Sequence, residues 1–151
     1  MGVEPFHGAK LAILSGDRIV TILRDDKPGI PWPGMWDLPG GGREGHETPA
    51  DCVLRETQEE LGLRFRLGDL HWRAEWPSGS SRVWLFVTEQ PAFDSQRVRF
   101  GDEGQRWELW SIERYLTDSG VIPHQKSRLK VYLANRARVL ADVARGQPLG
   151  R

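Results

Sequence analysis

Glu56, Glu59 and Glu60 stand at positions i, i+3 and i+4 of one segment, which makes their carboxylates neighbours on one face if that segment is helical. Like charges at that spacing weaken a helix by roughly a few tenths of a kcal/mol per pair, a cost that a bound divalent cation would offset. A cage of carboxylate oxygens suits magnesium or manganese. The same spacing also describes a solvated acidic face, so spacing alone leaves both roles open. Arg55 can reach Glu59 one turn later and hold it oriented. Glu47, just ahead of Thr48-Pro49, sits where a carboxylate meets a helix N-terminus; it could cap the helix and anchor the loop, or contact a metal. Upstream, Gly40, Gly41 and Gly42 follow Leu38-Pro39 and give a loop whose backbone can approach a phosphate or a cation closely.

The elements that must position these groups follow from periodicity. From Thr48 to Leu61 the residues Ala50, Val53, Leu54, Thr57 and Leu61 mark one helical face, and Gly62 supplies the stop. Ala9 to Ser15 and Ile19 to Arg24 read as strands joined at Gly16-Asp17. Phe65 to Trp76 and Ser81 to Glu89 read as two more around Pro77-Ser78-Gly79, the second apolar on both faces and therefore central. Arg106 to Ser111 adds a short strand, Ile112 to Thr117 a helical turn, and Lys126 to Val143 a C-terminal helix. Strands and helices intermix, which predicts an α/β (α+β) sandwich. The Pro/Gly-rich stretch from Pro28 to Gly42 lies between structured segments and reads as a functional loop.

The chain has 151 residues, a size that predicts a single domain over 1–151. Lys plus Arg equals Asp plus Glu at 21 each, so no global field draws the chain to nucleic acid or an anionic membrane, and no extended nucleic-acid surface is evident. One cysteine, Cys52, cannot form an internal disulfide, no apolar run approaches the roughly 20 residues of a membrane span, and Met1 to Lys10 lacks a signal-peptide core. The default expectation is an intracellular, cytoplasmic protein. His7, His46 and His71 show no zinc or triad pattern and are read as incidental.

Taken together, Gly41, five residues, Glu47, seven residues, and Arg55-Glu56-Thr57-Gln58-Glu59-Glu60-Leu61-Gly62-Leu63 resemble the Nudix box. Thr57 stands where that family usually carries an aliphatic residue, and its methyl can still face the core. The resemblance implies a Nudix-type α/β/α sandwich with a mixed sheet between helices. It also implies a Mg2+-dependent hydrolase, with Mn2+ as a substitute, cutting the diphosphate of a nucleoside diphosphate linked to another moiety X. It assigns the metal to Glu56, Glu59, Glu60 and the Gly40 carbonyl. Gly101-Asp102-Glu103-Gly104-Gln105 before Trp107 looks like the acidic loop that MutT-like members place opposite the box helix. Glu103 is then a further ligand or base, with Asp102 as the fallback. Glu56 and Glu60 would be the principal ligands, and Glu59, Glu56 and Glu103 the carboxylates closest to the chemistry.

The implied partner is a small nucleotide-like diphosphate. Gly41 would approach its phosphates, and one of the tryptophans in the Pro28 to Trp36 loop, Trp36 in particular, could stack on a base. Where MutT-like members read a purine with an asparagine near the last helix, this chain has Ile122-Pro123-His124-Gln125, which weakens an oxidised-nucleotide reading and leaves His124 or Gln125 to replace the contact. Rival readings are a catalytically inactive Nudix-like regulatory module, which would have lost box carboxylates, and an isoprenoid diphosphate isomerase, which would need extra ligand histidines. The Trp- and Arg-rich strands between Trp72 and Trp84 could form a homodimer surface.

Overall fold

The computed structural model describes residues 5–146. Two antiparallel strands open it, β1 (Gly8–Ser15) and β2 (Arg18–Leu23), joined at Gly16, whose φ of 59° is the left-handed conformation glycine accepts without strain. Two short strands, β3 (Trp36–Asp37) and β4 (Gly40–Gly42), lie inside the stretch expected to be loop. Helix α1 (Pro49–Leu61) follows, then β5 (Trp72–Ser78) and β6 (Ser81–Glu89). The chain continues into β7 (Arg106–Ser111), α2 (Ile112–Thr117), α3 (Pro123–Leu133) and α4 (Arg136–Ala144).

The sheet is mixed. Its path is β3-β2-β1-β6-β5, with β4 added to β1 and β7 to β2. The β1–β6 pair is parallel from Gly8 against Val83 to Leu14 against Glu89, so β6 is central, as its two apolar faces predict. Alternation along β1 divides the core. Ala9, Leu11 and Ile13 pack with Val53, Leu61 and Phe86 beneath α1, whereas Ala12 and Leu14 pack with Tyr115, Leu129 and Tyr132 under α2, α3 and α4. Helices therefore cover both faces of one sheet, the expected α/β/α arrangement. Among the described residues no helix is long and apolar enough to cross a membrane.

Three boundaries differ from expectation. The segment from Phe65 does not become strand until Trp72, because Leu67–Asp69 forms a 3-10 turn whose Asp69 side chain accepts the Arg66 N–H at 2.8 Å. The hairpin turns at Gly79-Ser80, and Pro77 lies within β5, where an edge strand tolerates its missing N–H. The expected single C-terminal helix starts earlier, at Pro123, and is two. The α-helical hydrogen-bond ladder breaks at Asn135: its backbone N–H reaches the Tyr132 carbonyl, three residues back, at 2.7 Å, and its side chain donates to the Val131 carbonyl at 2.9 Å. An asparagine offering the backbone such local alternatives ends a helix that periodicity alone would continue.

Candidate active site

Helix α1 carries the acidic constellation. Thr48 caps it by accepting the Asp51 N–H at 3.1 Å, Pro49 occupies the first turn where no N–H is needed, and Gly62 closes it at φ 67°. With Cys52, Val53, Thr57 and Leu61 buried against the sheet, the remaining face presents Glu56, Glu59 and Glu60.

Arg55 organises most of that face. Its guanidinium donates to both oxygens of Glu47 at 2.6 and 3.0 Å, to Glu56 at 2.9 Å, to Glu59 at 3.0 Å and to the Gly42 carbonyl at 2.8 Å, with Glu44 a further ion pair at 3.1 Å. One positive charge thus faces the carboxylates of Glu44, Glu47, Glu56 and Glu59. The Arg55 hydrogen bond holds the Glu47 carboxyl below its usual range. Burial raises that of Glu56; Arg55 opposes the rise, and the like charges of Glu59 and Glu103 add to it. Gly41 leaves room for this arrangement: a Cβ there would meet Glu56 Oε2 at 2.6 Å and push the Glu56 carboxylate out of this position.

Glu60 turns the other way, into a cleft of about 310 Å³ that it lines with Lys10, Arg24, Asp37, Glu103 and others. It accepts the Gly40 N–H at 2.6 Å. Burial pushes its carboxyl up to about 7, against the pull of Lys10 and that N–H. Lys10 Nζ donates to Asp37 at 2.9 Å, to the Gly40 carbonyl at 3.2 Å and to the Leu38 carbonyl at 3.3 Å. Asp37 has 4% of its side chain exposed and also meets Arg24 at 3.4 Å. Burial alone would raise its carboxyl, but Lys10, the Leu38 N–H and Arg24 outweigh that and hold it below its usual value. Gly40 itself has φ 132°, and a Cβ on it would lie 2.2 Å from the Ala9 carbonyl oxygen, so β4 can approach β1 this closely only as glycine.

The loop ahead of β7 completes the cleft. Its Gly101 N–H donates to the Glu60 carbonyl at 2.9 Å and its Gly104 N–H to Asp25 at 3.2 Å. That clamp puts Glu103 on the cleft wall with Glu60, while Asp102 does not line it. The structure therefore places Glu56 and Glu59 together on Arg55, with Glu47 on the same guanidinium, and Glu60 and Glu103 together on the cleft wall, with Glu56 close enough to Glu60 and Glu103 for their charges to act on one another. It does not bring Trp36 to the cleft: that indole packs on Trp110 with centroids 4.6 Å apart, on the far side of the sheet from α1. Trp32 and His124 instead share a neighbouring cavity with Gly41. His71 is consumed structurally, its Nδ1 accepting the Glu89 N–H at 2.9 Å.

Lys10, Arg24 and Asp37 were not among the sequence candidates. A signal existed for two of them: Lys10 stands between Ala9 and Leu11, and Asp37 between Trp36 and Leu38, lone charges inside apolar runs that cannot stay buried unpaired.

The profile of the NUDIX domain matches residues 6–131. The chain belongs to that family. Among relatives of this NUDIX domain, an RNA pyrophosphohydrolase from Zymomonas mobilis is 32% identical over 116 residues, covering 76% of this chain and 66% of that protein. A MutT-like protein from Streptomyces ambofaciens is 36% identical over 69 residues, covering 44% of this chain and 41% of that one. The chain thus spans less than two thirds of the length of either relative. The crystal structure of a MutT protein from Methanosarcina mazei Go1 superposes with a TM-score of 0.68 at 19% identity, covering 88% of this chain and 96% of the other, which establishes the shared NUDIX fold.

Proposed function

We propose that this NUDIX domain hydrolyses a diphosphate bond in a nucleoside diphosphate linked to a second moiety, with magnesium as the natural cation and manganese able to substitute. The observation that carries the reading is the unbalanced charge around α1, where Arg55 faces the carboxylates of Glu44 and Glu47 in the preceding loop and of Glu56 and Glu59 on the helix, beside a cleft that also holds Glu60 and Glu103. Hard oxygen donors in excess of their counter-charge suit a divalent cation. Among the described residues no three acidic, histidine or cysteine side chains already stand as a formed metal cage; Arg55 donates to oxygens of Glu56 and Glu59, and the Gly40 N–H to one of Glu60. Glu56, Glu59 and Glu60 would hold the cation by exchanging those contacts, with Glu103 and the Gly40 carbonyl as auxiliary donors.

Bound magnesium would neutralise the diphosphate oxygens, whose own charge otherwise repels an incoming water. The chain's residues do the rest. Lys10 and Arg24 place positive charge on the cleft wall. Glu103, exposed in its loop, is the carboxylate free to accept the proton of the attacking water, and Glu59, 56% exposed but held by Arg55, takes that role only where it is not a ligand of the cation. Glu47 and Arg55 orient Glu56 and Glu59. The relatives' names, RNA pyrophosphohydrolase among them, support cleavage of a phosphoanhydride.

The test is release of nucleoside monophosphate or phosphate from a panel of nucleotides, with and without magnesium. The panel spans normal and oxidised dNTPs, NDP-sugars, dinucleoside polyphosphates, ADP-ribose, NADH and capped RNA. At least one member is turned over only with the cation, and Glu60→Gln lowers its kcat by on the order of 100-fold or more. A variant that matches the parent, or a protein that binds nucleotides but never cleaves them, overturns the assignment.

A further inference from the structure

Strand β5 closes one end of the sheet path, so half of its backbone groups face away from β6. Which half follows from the bonds of β6. The Gln90 N–H goes to the Leu14 carbonyl at 2.7 Å and the Arg82 carbonyl accepts from His7 at 2.9 Å, so even-numbered residues along β6 bond toward β1. The Val87 carbonyl accepts the His71 N–H at 2.8 Å and the Glu89 N–H reaches His71 Nδ1 at 2.9 Å, so odd-numbered ones bond toward β5. Their register partners are Trp72, Ala74 and Trp76. Arg73, Glu75 and Pro77 therefore turn their backbone groups outward, and no backbone bond among the described residues takes those of Arg73 or Glu75. Pro77 stands where a missing N–H breaks no bond of the ladder.

An unpaired edge is a template for another strand, and its side chains here suit the same edge of a second copy. An antiparallel pair formed about a two-fold axis must set outward residues against outward residues. Centred on Arg73 or on Glu75, it would place like charges directly opposite each other, which is unfavourable. Centred on Trp76 it would need the N–H that Pro77 lacks, and centred on Trp72 it would need the His71 N–H that Val87 already holds. Centred on Ala74, Arg73 of each copy faces Glu75 of the other, and the two exchange both backbone bonds. Trp72 then faces Trp76 of the second copy at a close, non-hydrogen-bonded position that favours aromatic pairs. Arg73 is exposed and has no ion-pair partner among the described residues, whereas Glu75 has only Arg82 of its own chain. On the other face Trp72 is seated edge-on to Tyr132, centroids 5.2 Å apart, and Trp76 lies under Arg128 at 5.2 Å, so both indoles are already positioned.

We propose that β5 pairs with β5 of a second copy of this chain, antiparallel about a two-fold axis at Ala74, in a homodimer whose two sheets run on as one. An edge of seven residues is well short of the about 20–30 residues a side of a standard interface. The dimer is accordingly weak, with a Kd on the order of 10 µM.

Sedimentation equilibrium of the unaltered chain from about 1 to about 300 µM, concentrations that bracket that Kd, tests this. The mass rises from 17.2 kDa toward twice that value. Arg73→Pro removes an outward N–H and the paired charge without touching the β5–β6 ladder, and raises Kd by about tenfold or more. Should it fail to fold, Arg73→Glu, which sets like charges opposite each other, gives the same weakening. Ala74→Cys places two thiols across the axis, where the Cα atoms lie about 4.5 Å apart, within reach of a disulfide. Oxidised glutathione then links the two chains at least about tenfold faster than it links Ser78→Cys, whose thiols stand away from the axis. A chain that stays at 17.2 kDa throughout, a dimer as tight in the Arg73 variants as in the parent, or linking of Ser78→Cys as fast as that of Ala74→Cys overturns the proposal. None of these readouts involves the cleft, so the outcome is independent of what the cleft hydrolyses.

Discussion

The two faces of the sheet treat acidic residues in opposite ways. Where α3 and α4 reach the sheet, Gln125 to Asp37 at the cleft edge and Tyr132 and Arg136 to Glu89, these two acids are 3% and 4% exposed and each is matched. Asp37 has Lys10, Arg24, Gln125 and the Leu38 N–H. Glu89 has Arg136 on both oxygens, at 2.9 and 3.0 Å, and the Tyr132 hydroxyl. On the α1 side the acids outnumber their partners and lie nearer to water, Glu59 at 56% and Glu47 at 18% side-chain exposure. Buried carboxylates must be neutralised because desolvation of an unpaired ion costs several kcal/mol. Carboxylates at a surface can be left in excess, and an excess is what an incoming cation needs. Matched acids hold the fold together here; the unmatched ones are the carboxylates proposed to hold the cation.

Breaking a matched pair gives the largest effect. Arg136→Met leaves Glu89 buried without its bidentate partner and lowers unfolding free energy by about 3 kcal/mol or more, read by denaturant titration. A loss under about 1 kcal/mol would show that the pair is not what ties α4 to β6. The pH dependence of stability in the metal-free protein comes next. The Glu60 carboxyl is pushed from 4.5 up to about 7 in the folded chain, so between those values the native state binds more protons than the unfolded one, and its contribution to stability falls as pH rises. The Tm difference between Glu60→Gln and the parent therefore widens in the variant's favour from about pH 4.5 to about 7, and magnesium narrows it again. His71 and His124, lowered by burial, slope the other way over part of that window in both proteins, and the variant-minus-parent difference removes them. A flat difference would sink the Glu60 environment described here.

Smaller effects sharpen the contrast. Thr48→Ala removes the cap of α1 and costs about 1 kcal/mol in thermal or chemical denaturation; no change would mean that the seam with the sheet, not the cap, fixes the helix. Glu56→Gln, which relieves like-charge crowding in the unmatched cluster, shifts metal-free stability by no more than about 0.5 kcal/mol in either direction. A loss as large as that of Arg136→Met would place Glu56 with the matched acids and erase the distinction.

Much of the α1 side was legible because its information is local. The spacing of Glu56, Glu59 and Glu60, the Thr48 cap and the Gly62 stop all lie within one helix, and period and punctuation suffice to read them. The opposite side depends on long-range pairs. Lys10 meets Asp37 across 27 positions and Gln125 meets Asp37 across 88, and nothing in a single sequence specifies which of 21 basic residues answers which acid. The choice between Trp32 and Trp36 was illegible for another reason: both lie in one loop, and only the pairing of Trp36 with Leu23 and its packing on Trp110 take it away from the cavity. The break at Asn135 was missed because the apolar period runs through it.

Cys52 gives the molecule an internal clock. It is the only thiol in the chain, fully buried, with Sγ 3.5 Å from the Gly41 carbonyl, and burial pushes its pKa up to about 11. A thiol so protonated and so enclosed does not react with alkylating reagents while α1 lies on the glycine loop. Its labelling rate in the unmodified protein therefore counts how often that seam opens, and ligands that close the seam would slow the count.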